Sequence, residues 1–417
     1  MADNKDKKVL NVPALRFPEF TEEWKRIRVS DLLDFYSTNS LSWEQLEYKL
    51  NEPYNLHYGL IHVGLPILVD LTKDELPSIK EGNVPKKYEL CKEGDVAFAD
   101  ASEDTNEVAK VVEFYNLDGK KVVCGLHTIH GRDNNKQTAK GFLGYCFSST
   151  VFHYQIRRIA QGTKIYSINT RNFSEAFVGL PSKSEQHKIA TLLKIIDERI
   201  STQNKIIEKY ESLIQAIIYK EKMDGISKGT WQRIALCKVL QERNEKNVNG
   251  RTICSVSVSL GVVNQVEYLG RSFAAKQTSH YNIVKYGDIV YTKSPTGNFP
   301  YGIIKRSNIR EDVAVSPLYG VYIPASDSIG VFLHFYFMQP SNAFNYLYPL
   351  IQKGAKNTIN ITNGRFLENS VPLPISRSET NTIAGILKTI QTKIEIEKNL
   401  LQSYTKEKKY LLRQMFI

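Results

Sequence analysis

Two long stretches of this chain place apolar residues at alternating intervals of four and three. The first runs through Ile189, Leu193, Ile196, Ile200, Gln203, Ile207, Tyr210, Ile214 and Ile217. The second runs through Ile383, Leu387, Ile390, Ile394, Glu397, Leu401, Tyr404, Lys408 and Leu411, with polar lapses at Glu397 and Lys408. A 3.5-residue period sets these positions on one narrow helical face, the seam along which coiled-coil helices pack. Each run predicts roughly 30 helical residues, a rod of about 45 Å at 1.5 Å per residue. A helix lying alone on a domain surface needs only a broad apolar stripe, so a strict seam present twice favours two helices packed on each other. Leu180-Pro181 and Leu373-Pro374 precede the runs, and Ser184 and Ser378, each followed by an acidic residue, supply the expected helix starts.

The blocks before the seams read differently. Ile61-His62-Val63-Gly64, Val122 through Ile129, Val290-Tyr291-Thr292-Lys293 and Leu318 through Ile323 are short β-rich runs between Gly and Pro residues, and predict strands. Helical stretches are expected around Phe142 to Arg158 and Phe332 to Ile351. The two blocks also repeat each other. Gly162-Thr163-Lys164-Ile165 resembles Gly354-Ala355-Lys356-Asn357, Phe173 falls 193 residues before Phe366, and Gly94-Asp95 lies 193 before Gly287-Asp288. Trp24 and Trp231 head the two blocks. A repeat this long is a tandem duplication of a domain, since solenoid units are far shorter.

The expected fold is therefore α+β: two similar mixed α/β heads in tandem, each followed by a long helix, the helices packing as an antiparallel coiled coil. The boundaries are a disordered lead over 1–14, a first head over 15–182, a spacer helix over 183–222, a second head over 223–374 and a second spacer helix over 375–417. An antiparallel pair would put the heads at opposite ends of a spacer, an arrangement suited to a target in two parts.

Composition narrows the function. At 42% hydrophobic residues the 417-residue chain can bury a core in each head. No apolar run approaches the roughly 20 residues a membrane span needs, and the charged N-terminus lacks a secretory pattern, so a cytoplasmic, membrane-free protein is expected. The five cysteines form no CxxC and predict reduced thiols. A net charge of +11 points to a polyanion, of which nucleic acid is the commonest in the cytoplasm.

Catalytic constellations do not assemble. Cys124-x-x-His127-x-x-His130 has metal-like residue types, but on a single strand residues three apart point to opposite faces, so no metal site is expected and His127 reads as a packed or hydrogen-bonded histidine. Asn51-Glu52-Pro53-Tyr54 resembles an amino-methyltransferase motif but lacks its second proline and a donor-binding Gly-rich loop. There is no GxxxxGK[ST], and no Pro-Asp precedes the Glu-x-Lys triplets. Asp100, Glu103, Asp104 and Glu107 read as a solvated acidic loop. No catalytic residues are assigned.

Recognition chemistry remains: amides, guanidinium groups and hydroxyls for base edges, Lys and Arg for phosphates. The first head offers Arg132, Asn134, Lys136, Gln137, Lys140, Lys164, Tyr166, Asn169 and Arg171. The second offers Lys276, Gln277, Lys293, Thr296, Asn298, Lys356, Asn360 and Arg365. Residues shared by the repeat suit phosphate or structural duty, because heads that read different sequences need different base readers.

Leu15-Arg16-Phe17-Pro18-Glu19-Phe20 with Trp24, Gly125-Leu126-His127-Thr128, Gln161-Gly162, and Leu180-Pro181 followed by Glu185-Gln186 and Ile189 resemble the marks of the specificity (S, HsdS) subunit of bacterial type I restriction-modification systems. The second half keeps Lys353-Gly354 and Leu373-Pro374 but has Ser378-Glu379-Thr380 in place of the Glu-Gln pair. The resemblance implies a non-catalytic, DNA-binding subunit in which each head is a target recognition domain for half of a bipartite double-stranded DNA sequence. The coiled coil would set the gap and dock two methyltransferase subunits, and motor-nuclease subunits would join the full complex. The chain would need no cofactor of its own, its partners using S-adenosylmethionine, ATP and Mg²⁺. The alternatives are a coiled-coil scaffold that does not read DNA, or the recognition fragment of a single-chain restriction or modification enzyme.

Overall fold

The computed structural model of the chain describes residues 11–353 and 359–417. It divides into two compact units, one reaching to Gln203 and including Leu400–Ile417, the other Asn204–Asn399. Both divisions fall inside the long helices, so each unit is a head with part of each helix.

The first unit holds two mixed sheets. One has the order Val122–Cys124, Tyr54–Leu56, Ser78–Ile79, Leu46–Glu47. The other has Asp34–Tyr36, Thr128–Arg132, Val96–Ala99, Val111–Asn116, Leu68–Asp70. Alternation along one central strand feeds two cores: Val96 and Phe98 join one, Ala97 and Ala99 the other. The first core is closed by helices Phe142–Phe147 and Thr150–Ile159 and by Ile189, Leu193 and Ile196 of the first long helix. Leu411 near the end of the second long helix, and Met415 and Phe416 just beyond it, enter the same core. The chain is already anchored at residue 11, where Asn11 O accepts from the Trp24 N–H at 2.8 Å. Residues 11–14 therefore belong to the head rather than to a disordered lead.

The second unit repeats the plan with fewer strands. Its main sheet is antiparallel, in the order Leu240–Glu242, Gly320–Pro324, Ile289–Tyr291, Ile304–Arg306. Helices Asp327–Phe337 and Pro340–Leu347 stand where the first head has its own pair. In each head the entering strand pairs antiparallel with the strand that leads into the long helix: Lys25 with Leu180, Gln232 with Leu373. Gly94 and Gly287 both take positive φ, 89° and 91°, and the following Asp95 and Asp288 each accept a backbone N–H three residues back at 2.8 Å.

The long helices are Lys183–Ser227 and Arg377–Gln414. Their caps are Ser182 and Ser376, whose hydroxyls accept from Glu185 N and Glu379 N, each at 3.4 Å. Ser184 and Ser378 lie just inside the helices. In the first unit Asp197 pairs with Lys408 at 2.5 Å and Arg199 lies over the Tyr404 ring, so the helices run antiparallel there. In the second unit Glu211 pairs with Lys398 at 3.0 Å. The seam residues Ile189, Leu193, Ile196, Gln203, Ile207, Ile214, Ile383, Leu387, Ile390, Ile394 and Leu411 are buried, and Ile200, Tyr210, Ile217, Leu401 and Tyr404 half-buried.

Three expectations are corrected. The first helix continues to Ser227 at about 67 Å for its 45 residues, past the boundary at 222. Gly225 serves there as a point of close approach, since a Cβ would stand 1.9 Å from the Trp231 ring. Tyr58–His62 is a helix, because His57 caps it through Nδ1 to the Gly59 N–H at 3.1 Å. Val122 through Ile129 is not one strand: it breaks after Cys124 and restarts at Thr128, with His127 at φ 55° in the turn between.

Candidate nucleic-acid interface

In the first head a hairpin and a turn meet. Gln161 and Ser167 exchange both backbone bonds, at 2.9 and 2.8 Å, enclosing Gly162 at φ 141°. Any Cβ at Gly162 would stand 1.9 Å from the Ile165 carbonyl, so only glycine closes this hairpin. Its tip carries exposed Lys164 and Ile165, the latter 62% exposed, with Tyr166 half-buried behind them. Ile168 N–H donates to Asp100 O, and Asp100 N–H donates to His127 O. The Gly125–Thr128 turn and the Lys164 hairpin thus converge on Asp100. Exposed Arg171 follows, on a short helix capped by Asn169 Oδ1 accepting from the Asn172 N–H at 2.8 Å.

A row of rings runs beside this turn. Trp43 and His57 lie 4.4 Å apart, His57 and Tyr58 4.6 Å, Tyr58 and His127 5.3 Å. Burial and the neighbouring His127 lower the His57 pKa, and burial raises the Asp100 carboxyl despite its 3.2 Å contact with His127 Nδ1. Trp43 and His127 are exposed and Tyr58 half-buried, with His57 buried between them; exposed aromatic faces and polar edges are the chemistry of base and sugar contact. Trp43 and the His57-Tyr58 pair leave no trace in the sequence because they come from two segments without a shared period.

The loop after Arg132 is different. Arg132 is not a DNA contact: it is 6% exposed and donates to Asp95 at 2.9 Å and to Glu89 at 2.7 Å. Asn134 donates to Asp34 and Tyr36, Lys140 to Glu93 at 2.7 Å, and Gln137 O accepts from Gln186 of the long helix. Gln186 Oε1 also accepts from Ala139 N–H at 2.8 Å. These bonds clamp the loop onto the helix start, and Lys136, at φ 52°, is an exposed cation on it.

In the second head Lys276 and Gln277 are exposed, near Arg271, whose guanidinium lies 4.5 Å over exposed Phe273. Thr296 and Asn298 sit on a tight exposed turn in which Thr296 and Phe299 exchange backbone bonds. Lys293 precedes it at φ 62°, its pKa lowered by burial. Arg365 is half-buried, held by Leu350 O at 2.8 Å and Glu368 at 3.6 Å. Lys356 lies outside the described residues, and Asn360 is described only as the backbone partner of Gln352.

Residues 114–212 match the family described as the type I restriction modification DNA specificity domain. Across nearly its whole length the chain is similar in fold to the type I restriction-modification system S subunit from M. genitalium, with 15% identity, 97% of this chain and 99% of that one covered, and a TM-score of 0.59. It is also similar to a chain from the structural study of complex assembly and conformational transition of the type I R-M system, at 13% identity, 93% and 96% coverage and a TM-score of 0.50. No curated protein matches in sequence.

Proposed function

We infer that this chain, which carries a type I specificity domain and folds as an S subunit, is the DNA-specificity subunit of a type I restriction-modification system. The observation that carries the reading is the duplicated build: two heads, each latched in the same way to the start of its own long helix, with the specificity-domain match over residues 114–212, the later part of the first head and the first part of its helix. Each head reads one half of a bipartite duplex target. Lys164, Arg171, Lys276 and Lys136 suit phosphates and fix register, while the groups that differ between heads read bases.

The paired helices set the gap between half-sites and offer two docking sites for methyltransferase subunits, with motor-nuclease subunits joining in the full complex. The chain itself is non-catalytic. S-adenosylmethionine, ATP and Mg²⁺ serve adenine methylation and endonuclease action on the partner subunits. A cytoplasmic location follows from that target, and no helix among the described residues is long and apolar enough to cross a membrane. A scaffold that merely joins proteins would have no use for the +11 charge or the exposed cations on both heads.

The test exchanges residues 231–374 for the second head of a relative and maps methylated adenines made with the partner methyltransferase. One half of the motif should change and the other persist. Change in both halves, or methylation without sequence preference, contradicts two independent readers.

A further inference from the structure

Cys124 and His130 of the rejected motif, without His127, come together with Cys91 inside the first head. Cys91 precedes the strand Val96–Ala99, Cys124 ends one strand and His130 lies on the next. Two sulfurs and a ring nitrogen lie within 4.8 Å of one another, and all three residues are buried. The strand break at Gly125–His127 makes this possible: Cys124 and His130 belong to different sheets, so the one-strand argument against convergence does not apply.

We propose that Cys91, Cys124 and His130 bind one zinc ion. The sulfur separation is 3.5 Å, close to the about 3.8 Å between two sulfurs each about 2.3 Å from a tetrahedral zinc. His130 keeps one ring nitrogen without a partner: its Nε2 is 2.7 Å from Asp95 Oδ2, and its buried Nδ1 has no hydrogen-bond partner. A carboxylate that accepts a hydrogen bond from one ring N–H leaves the other nitrogen with its lone pair free, the usual support of a metal-bound histidine.

A disulfide or a thiol hydrogen bond between the cysteines would leave Nδ1 unsatisfied in the core, which is unfavourable. A metal takes all three donors. Charge balances as well: two thiolates neutralise the dication, while Asp95 is matched by Arg132, so no net charge is buried. A cleft of about 470 Å³, lined in part by Asn39, Glu89 and His127, reaches Cys124.

The ion would tie the two sheets to the segment before residue 95 and hold the turn that carries His127. The second head has no counterpart: Asp288 there accepts from Arg243, and no second such ligand group occurs among the described residues. One zinc per chain is expected.

The experiment incubates the full purified chain with Zn²⁺, desalts it and measures bound metal, with Co²⁺ reconstitution in parallel. Expected are one zinc per chain, a sulfur-to-cobalt charge-transfer band, and a melting temperature lowered by chelator. C91A/C124A should retain no zinc, lack the band and ignore chelator. Folded wild-type chain holding far less than one zinc, or a Cys91–Cys124 disulfide in its peptide map, overturns the proposal. The wild-type cobalt spectrum requires no variant to fold, and none of these readouts involves DNA.

Discussion

Trp24 donates its indole N–H to Glu185 at 3.2 Å. The same bond recurs in the second head, from Trp231 to Glu379 at 2.6 Å. It joins the entering strand of each head to the first turn of the helix that follows, where a carboxylate also meets the positive end of the helix dipole. Glu379 therefore occupies the role of Glu185, although Ser378-Glu379-Thr380 looked like a departure from the Glu-Gln pair. Only the second member changes: Gln186 clamps the 137–139 loop, whereas Thr380 bonds back to Ser376 O.

The two latches should differ in strength. Glu185 is 1% exposed and also takes two bonds from Arg16, at 2.7 and 2.8 Å. Glu185→Ala strands a guanidinium and an indole, and should cost about 3–5 kcal/mol. Among the described residues no arginine reaches Glu379, so Glu379→Ala should cost about 1–2 kcal/mol. Urea denaturation of both variants checks this; equal losses would contradict it.

Glu113 should make the first head less stable as pH rises. It lies on the helix-facing side of its strand, fully buried, and accepts from the Gly141 and Gly144 N–H groups. Burial outweighs those bonds and raises its pKa from 4.5 to about 7. The folded state then binds more protons than the unfolded one, so its contribution is complete below about pH 4.5 and lost as pH climbs through about 7. The loss is of the order of 3 kcal/mol. Glu113→Gln should lack this component. Melting curves between pH 5 and 8 decide it, and parallel curves for the two proteins would refute it.

Lys164→Ala with Arg171→Ala should weaken DNA binding uniformly across sequences. Two lost phosphate contacts reduce the log–log salt slope by roughly 1.8. Because both side chains are exposed, the melting temperature should hardly change. Arg132→Ala should do the reverse, lowering stability through its buried Asp95 pair without altering the salt slope per bound complex. Binding titrations at several salt concentrations separate the two.

Seven residues inserted after Gln203, matched by seven after Asn399, preserve the seam and lengthen each helix by about 10 Å. If the helices set the gap, the unspecified spacer in the methylated motif should grow by about three base pairs at 3.4 Å each. Sequencing modified sites made with the partner methyltransferase gives the answer. An active variant with an unchanged gap would show that the helices are not the ruler.

Local and periodic features were legible in the sequence. The heptad seams, the two-head duplication, the paired Gly-Asp turns and the basic charge all follow from spacing and composition, because helix packing and repeats leave a regular trace along the chain. Contacts that join distant segments left no such trace. In the sequence Arg132 reads as a DNA-reading cation, whereas in the fold Asp95 and Glu89 pair with it. Ile61–Gly64 looked like a strand because apolar content alone does not reveal that His57 caps a helix. The convergence of Cys91, Cys124 and His130 depends on two sheets meeting across a turn. By itself the sequence determined two similar heads with a long helix after each. Tertiary structure decided which polar groups are neutralised inside the heads and which are left facing solvent, because burial and charge pairing are set by neighbours distant in sequence.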